Sequence, residues 1–365
     1  MKRLKRLDMR YLLSAKWAAI ILLNLTGSLK IIPLFVLILC FFIQLRIFKL
    51  GRSGFVTALG LLIIIRYKLI YGFDFIVNAG VTTTAFEGIS IAFLLFVLPF
   101  FHSELKLINK NRWPIVLDVL NVTYIILLLD LVVRIYVHGL GQFFSLGDYT
   151  IAKEYGLFSS SNISGGLAFV LFCYSLNING LYSSRSLMII ILLLGSLSRV
   201  SIFAAVLVMA CHIYSKNASR FTRILVRTLV ALFAMALLMP VYNYFISDGS
   251  FNSKIDLITA GVANFYRLTD LEILLFGFPL DSLLIAEFLD VEGWSPHVSF
   301  LKALLYYGIF GFVIWVIAHY YIWQKSQLRS VVAGGFVMGL AGLPILWPPL
   351  LLTLFAHKQL HKSPN

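Results

Sequence analysis

PIVLDVLNVTYIILLLDLVVRIYV, residues 114–137, is a run of 24 residues that carries only three charged side chains. A transmembrane helix needs about 20 predominantly apolar residues to cross about 30 Å of hydrocarbon, so this run predicts a membrane-spanning helix. Similar stretches recur at about 11–27, 31–45, 54–72, 87–101, 163–180, 186–197, 199–214, 224–246, 298–323, 330–343 and 345–357. Together they predict an all-α, polytopic membrane protein of about twelve transmembrane helices, with residues 1–365 forming a single integral membrane domain.

The composition supports this class. Of the 365 residues, 60% are hydrophobic and 13% are charged, which is too apolar for a soluble domain. The net charge of +14 does not indicate a nucleic-acid partner, because the basic residues stand in short connections between apolar runs. Cys40, Cys173 and Cys211 lie inside apolar runs, so we expect packing residues rather than disulfides or a metal site.

The basic residues also predict the orientation. Alternate connections, beginning with the N-terminal segment, hold 20 of the 30 basic residues, whereas the opposite connections hold four. Because cytoplasmic connections carry the excess of Lys and Arg, both termini are expected to be cytoplasmic. The opening Met1-Lys2-Arg3-Leu4-Lys5-Arg6 resembles the start of a signal peptide. Since no convincing cleavage site follows, we expect a retained first helix.

Two connections on the outer side are longer than a turn: a shorter loop at 138–162 and a large loop at 247–297. The large loop holds eight acidic and two basic residues, together with aromatic residues that make it too apolar for a disordered linker. We expect it to fold as short helices that cap the membrane core. It ends in Trp294-Ser295-Pro296-His297, where the chain re-enters an apolar run.

Six basic residues fall within the predicted spans: Lys16, Arg66, Lys68, Arg134, Arg199 and Lys302. A charge in hydrocarbon costs about 2.5–3.5 kcal/mol on insertion scales, so each needs a reason. Lys16 is near the cytoplasmic end of its helix, where its side chain can extend to the interface, and its replacement by alanine is expected to be mild. The others converge on the depth of the outer leaflet. Since guanidinium groups bind phosphate bidentately, this cluster predicts a site for a lipid phosphate or pyrophosphate, with Arg66, Arg134 and Lys302 binding the substrate.

Arg134, one of these six residues, has a local alternative to substrate binding. Asp130 and Arg134 are four residues apart on one helix face and would neutralise each other.

His297 follows Pro296, near the expected start of a helix, and its imidazole would exchange protons near neutral pH at the membrane surface. A single interfacial histidine is more often structural, but the neighbouring cations and acidic loop favour a functional role.

Three patterns follow one another along the chain. They are Gly156-Leu157-Phe158-Ser159-Ser160-Ser161-Asn162; Gly195-Ser196-Leu197-Ser198-Arg199; and Asn264-Phe265-Tyr266-Arg267 followed by Leu275-Phe276-Gly277-Phe278-Pro279, Trp294-Ser295-Pro296-His297-Val298-Ser299-Phe300-Leu301 and Tyr307-Gly308-Ile309-Phe310-Gly311. Over about 155–315 the chain resembles the O-antigen polymerase and O-antigen ligase superfamily, which assembles bacterial surface polysaccharides. The first five spans match it in topology only. Val298 stands where the family commonly has Asn, so this chain lacks that amide.

The resemblance implies a helical glycosyltransferase of the bacterial inner membrane with its site facing the periplasm. It would polymerise undecaprenyl-pyrophosphate-linked oligosaccharide repeat units into O-antigen or a similar surface polysaccharide, without a metal or other cofactor and with a chain-length regulator protein as a partner. Arg199 and Arg267 would stabilise the departing pyrophosphate. His297 would accept the proton of the acceptor hydroxyl, with Asp290 or Glu292 as the alternative base. The substrate-binding residues would include Asn162 and Trp294.

Two other functions stay open. An O-antigen ligase would transfer the finished glycan to lipid A-core; the loose match to the shared pattern favours a polymerase, because polymerases are the more divergent group. A non-catalytic flippase for the same lipid-linked glycans is expected to have two related halves and charges that line a midplane cavity. The sequence shows no repeated halves, and its charges lie at the outer surface, which favours an enzyme.

Overall fold

The computed structural model describes residues 2–23, 25, 29, 31–47, 98–111, 114–143, 156–158, 161–178, 183–216, 249–265, 268–278, 299–325 and 329–338. Within these residues the chain forms α-helices and no β-strand, which confirms the all-α class for this part of the protein. The helices are α1 Lys2–Leu22, α2 Ile31–Ile47, α3 Leu98–Asn111, α4 Ile115–Phe143, α5 Ser161–Ile178, α6 Ser184–Gly195, α7 Arg199–Lys216, α8 Gly249–Phe265, α9 Leu271–Phe276, α10 Ser299–Lys325 and α11 Arg329–Met338.

Two helices in the described ranges are long and apolar enough to cross a membrane. They are the Ile115–Val137 part of α4, with a mean hydropathy of 2.3, and α5, with a mean hydropathy of 1.3. Their length and composition support the class of membrane protein. By contrast, α6 has 12 residues, which at 1.5 Å per residue gives about 18 Å. The span predicted at 186–197 corresponds to this short apolar helix.

The helices continue beyond several predicted spans into polar sequence. α1 begins at Lys2 rather than near residue 11, and α3 continues to Asn111 although the predicted span ends at 101. α4 extends past 137 to Phe143, with a kink at Gly139. Hydropathy predicts only the part of a helix that lies in an apolar environment. The helices are longer than the predicted spans because backbone hydrogen bonding continues beyond that part. The spans predicted at 54–72, 224–246 and 345–357, and most of the span at 87–101, lie outside the described residues.

Contacts between the helices define two ends of the bundle, which we call the Arg10 end and the Asn162 end. The contacts at the Arg10 end are Arg10–Asp118, Asn121–Arg185 and Ser175–Ser186, and those at the Asn162 end are Leu25–Phe158, Asp130–Leu157 and Asn162–Ser198. α1, α4 and α6 therefore run in one direction, while α5 and α7 run in the other. Under the predicted topology the Asn162 end faces the periplasm.

α5 is the central helix of this bundle. It packs against α4, α6, α7 and α11. Of its 18 residues, 83% are buried inside the protein. Gly334 of α11 lies against Phe169 of α5, because a Cβ at position 334 would overlap the ring of Phe169. A helix buried on all sides holds its polar residues against protein rather than lipid. Near its N-terminal end, Ser164 Oγ donates a hydrogen bond to the carbonyl oxygen of Ser161 (3.1 Å) within the same helix.

A buried ion pair joins α1, α2 and α3. Lys16 Nζ contacts Glu104 Oε1 and lies 2.9 Å from Gln44 Oε1. Glu104 also accepts hydrogen bonds from Gln44 Nε2 (2.8 Å) and Trp17 Nε1 (3.1 Å). Lys16 is 1% exposed and Glu104 is 0% exposed, so the prediction that Lys16 extends to the interface is wrong. Its charge is neutralised inside the bundle, because α3 brings an acidic residue beside α1.

Candidate functional site

Asp130 of α4 holds the segment 156–158 at the Asn162 end. Its Oδ1 accepts hydrogen bonds from the backbone N–H groups of Leu157 (2.6 Å) and Phe158 (3.3 Å). Its Oδ2 accepts a hydrogen bond from Arg134 Nε (2.9 Å). A buried carboxylate needs such partners to offset the loss of water. Asp130 therefore connects α4 to the first of the three sequence patterns.

Gly156 lies directly against this ion pair. A Cβ added there would be 2.5 Å from Arg134 Nη2 and 2.6 Å from Asp130 Oδ1, closer than any ordinary van der Waals contact. A larger residue at position 156 would therefore displace either the Asp130–Arg134 ion pair or the segment 156–158.

Arg134 forms the local ion pair that the sequence offered as an alternative to a substrate contact. Its Nε lies 2.9 Å from Asp130 Oδ2, and the side chain is 0% exposed. A guanidinium enclosed in this way neutralises a neighbouring acid and orders the backbone above it. This geometry favours a positioning role for Arg134 over direct contact with a large ligand.

The turn between α6 and α7, which we call the serine turn, comprises Ser196, Leu197 and Ser198. Leu197 has a φ of 56°, the left-handed conformation that few residues other than glycine adopt. Ser196 Oγ accepts a hydrogen bond from Ser198 N (3.3 Å), and Ser198 Oγ lies 2.8 Å from Ser201 Oγ in the first turn of α7. Ser198 occupies the N-cap position, which favours serine. The serines of the turn therefore supply its side-chain hydrogen bonds.

Asn162 joins the serine turn to α5. Ser198 Oγ donates a hydrogen bond to Asn162 Oδ1 (3.1 Å). Gly165, about one helical turn further along α5, lets the two elements approach, because a Cβ there would lie 2.5 Å from Ser198 Cβ and 2.7 Å from Ser201 Oγ. The first and second sequence patterns therefore meet at the Asn162 end.

Arg199 is the first residue of α7 and directly follows the serine turn. Its backbone lies within the described part, and its side chain does not. The first N–H groups of a helix lack intrahelical acceptors and carry partial positive charge. The position of Arg199 is thus favourable for a negatively charged ligand.

The third pattern forms a second contact region, between α9 and α10. α10 is interrupted at Gly308, which has φ 64° and ψ −165°. The interruption frees the carbonyl oxygen of Leu305, which accepts a hydrogen bond from Phe278 N (2.7 Å). The rings of Phe276 and Phe310 lie 5.7 Å apart. The segment 275–278 is therefore docked on the N-terminal half of α10.

The structure brings Arg134, Asn162 and the backbone of Arg199 together at the Asn162 end. Lys302 lies on α10, and its side chain is outside the described part. α10 begins at Ser299, two residues after the predicted base. The other four predicted site residues lie outside the described residues: Arg66, Arg267, Trp294 and His297.

Sequence reasoning did not select the serines or Gly165 as parts of the site. Two signals were present. A serine directly before an apolar helical run predicts an N-cap. Ser198 fits this rule, as it precedes α7. A glycine inside an apolar span predicts the close approach of another backbone, which is what Gly165 permits. Neither signal identifies the contacting partner.

Comparison with known proteins finds no family model, no curated protein and no solved structure that matches this chain. In the described ranges, no group of three or more His, Cys, Asp and Glu side chains is arranged to hold a metal ion. The candidate site is therefore defined by the contacts at the Asn162 end, the docking of α9 on α10, and the three sequence patterns.

Proposed function

We propose that the protein is a bacterial inner-membrane glycosyltransferase that polymerises undecaprenyl-pyrophosphate-linked repeat units into a surface polysaccharide. The supporting observation is the meeting of the first two patterns at the Asn162 end. Asn162 and Ser198 lie 36 residues apart in sequence and are joined by a hydrogen bond. This hydrogen bond holds the start of α7, and with it the backbone of Arg199, beside the N-terminal end of α5.

The proposed reaction transfers a glycan from the carrier lipid to an acceptor hydroxyl, with undecaprenyl pyrophosphate as the leaving group. Negative charge develops on the departing pyrophosphate, and preorganised cations stabilise such charge. Arg199 and Arg267 would supply these cations. The helix start that Arg199 occupies also favours an anion. His297 would accept the proton of the acceptor hydroxyl. Asp130 and Arg134 would position the segment 156–162.

The proposed orientation has both termini in the cytoplasm and residues 247–297 in the periplasm. Ser253→Cys and Ser330→Cys, introduced singly into a variant without the three native cysteines, test it. A membrane-impermeant thiol reagent added to intact cells should label Ser253→Cys only, because Ser330 would be on the cytoplasmic side. Labelling of Ser330→Cys without Ser253→Cys would invert the orientation.

The proposed activity is tested in a host that lacks its own copy of this gene. The wild-type protein should restore a ladder of long surface glycan. Arg199→Ala and His297→Ala should leave mainly single repeat units, because charge stabilisation or proton transfer is lost, while the protein stays in the membrane. Arg199→Lys should restore activity only partly, since lysine cannot bind phosphate bidentately. Gel electrophoresis of the surface glycan measures chain length.

Arg329→Ala is the matched control, because Arg329 is also the first residue of a helix but belongs to the predicted cytoplasmic side. It should retain the wild-type ladder. Wild-type ladders from both Arg199→Ala and His297→Ala would rule out the proposed site. Long chains that accumulate on the carrier lipid in the null strain would indicate a ligase instead of a polymerase.

A further inference from the structure

We propose that a groove between α4 and α6 at the Arg10 end binds the headgroup and upper acyl chain of an anionic glycerophospholipid. This inference requires that the bundle spans a membrane, and it does not depend on glycosyltransferase activity. The groove has a volume of about 550 Å³. Its lining residues are Asn121, Tyr124, Ile125, Ser184, Arg185 and Met188.

Arg185 supplies the positive charge of this groove. Its Nη2 donates a hydrogen bond to Asn121 Oδ1, and its guanidinium carbon lies 5.6 Å from the centre of the Tyr124 ring. These two contacts hold the guanidinium at the mouth of the groove. A fixed and partly exposed cation loses less conformational freedom on binding an anion than a mobile one.

The charge of Arg185 is not neutralised by a carboxylate within the described part of the chain. Asp118 lies one helical turn before Asn121 on α4, but it binds Arg10 through hydrogen bonds of 2.8 to 3.0 Å. It also accepts a hydrogen bond from Ser14. The groove therefore has an excess of positive charge that complements a phosphodiester.

The polarity of the groove changes along the bundle as the polarity of a phospholipid does. Polar groups stand at the Arg10 end, and exposed apolar side chains continue from there along both helices. On α4 these are Ile125, Leu129 and Val132, and on α6 they are Met188, Ile191 and Leu194. From Asn121 to Val132 the rise is about 16 Å, which is long enough to contact the upper part of an acyl chain. The apolar track thus fits an acyl chain whose headgroup lies at Arg185.

Under the predicted orientation the Arg10 end is on the cytoplasmic side. A basic residue that contacts the bound headgroup favours an anionic lipid with a strength that corresponds to about a fivefold change in binding constant. A zwitterionic lipid has the same phosphate and acyl chains but no net charge. The proposed site should therefore distinguish phosphatidylglycerol from phosphatidylcholine.

Native mass spectrometry of the full-length protein in detergent tests the proposal. Dioleoyl phosphatidylglycerol should bind about fivefold more tightly than dioleoyl phosphatidylcholine. Arg185→Gln should abolish this preference, whereas Arg185→Lys should keep most of it because the charge is retained. Lys110→Gln is the control, since Lys110 is exposed in the last turn of α3 and predicted to face the same side. It should keep the preference.

Three outcomes would overturn the lipid site. One is equal binding of the two lipids by the wild-type protein, and another is an unchanged preference in Arg185→Gln. The third is displacement of phosphatidylglycerol by millimolar inorganic phosphate, which would make a free phosphate the ligand. A failed polymerisation test would leave these results unaffected, because no glycan substrate is used.

Discussion

Lys16→Ala is expected to lower the free energy of unfolding by about 3–5 kcal/mol, the usual cost of removing one partner from a buried ion pair. Without Lys16, the carboxylate of Glu104 would stay buried with Gln44 and Trp17 as its hydrogen-bond donors but without a compensating positive charge. The sequence alone predicts a mild effect, because it allows Lys16 to reach the interface. Titration of the purified protein with sodium dodecyl sulfate in mixed micelles measures the difference.

The combined variant Lys16→Met with Glu104→Gln should recover most of the lost stability. It removes both charges and retains side chains of similar size. Such a replacement of a buried ion pair often leaves the free energy of unfolding nearly unchanged. Arg10→Ala is the matched control from the same helix, because the Arg10–Asp118 pair is 30% and 27% exposed. Ion pairs that water reaches contribute about 0–1 kcal/mol. If Lys16→Ala cost no more than Arg10→Ala, the buried pair would not stabilise the fold.

The pairing of charges shows which parts of the fold the sequence predicts. Asp130 and Arg134 are four residues apart on α4, so the sequence alone indicates their ion pair, and the structure contains it. Glu104 and Lys16 are 88 residues apart, and nothing local indicates that they meet. Local spacing determines the first pair, whereas the packing of α1 against α3 determines the second.

The same distinction applies to the candidate site. Hydropathy places α5 and α7, and the rule for N-cap serines places the start of α7 at Ser198. The hydrogen bond between Ser198 and Asn162 depends on how closely α5 approaches the serine turn, which Gly165 permits. Such an approach is a property of two surfaces in contact. The motifs in the sequence therefore select Asn162 and Arg199 as site residues, but not Ser198 or Gly165, whose role depends on that approach.

Gly308→Ala is expected to detach the segment 275–278 from α10. The φ of 64° and ψ of −165° at Gly308 belong to a region that is essentially restricted to glycine, and forcing another residue into it costs about 1–3 kcal/mol. The added Cβ would also overlap the carbonyl group of Leu275 and lie 2.6 Å from Gly277 N. Overpacking of this kind adds about 1–3 kcal/mol. Because these neighbours are backbone atoms, the clash can be relieved only by moving the whole segment.

Hydrogen–deuterium exchange of the segment 268–278 measures this detachment, since the hydrogen bond from Phe278 N to Leu305 O would be lost. Gly139→Ala is the matched control, because Gly139 has a similar φ of 69° but no atom within 4 Å of the added Cβ. It introduces backbone strain without the clash. Faster exchange in Gly308→Ala than in Gly139→Ala would assign the difference to docking of α9.

Since α10 begins two residues after His297, loss of the glycan ladder in Gly308→Ala but not in Gly139→Ala would connect this docking to the proposed base. Equal exchange in the two variants would mean that the added Cβ at position 308 does not detach the segment 275–278.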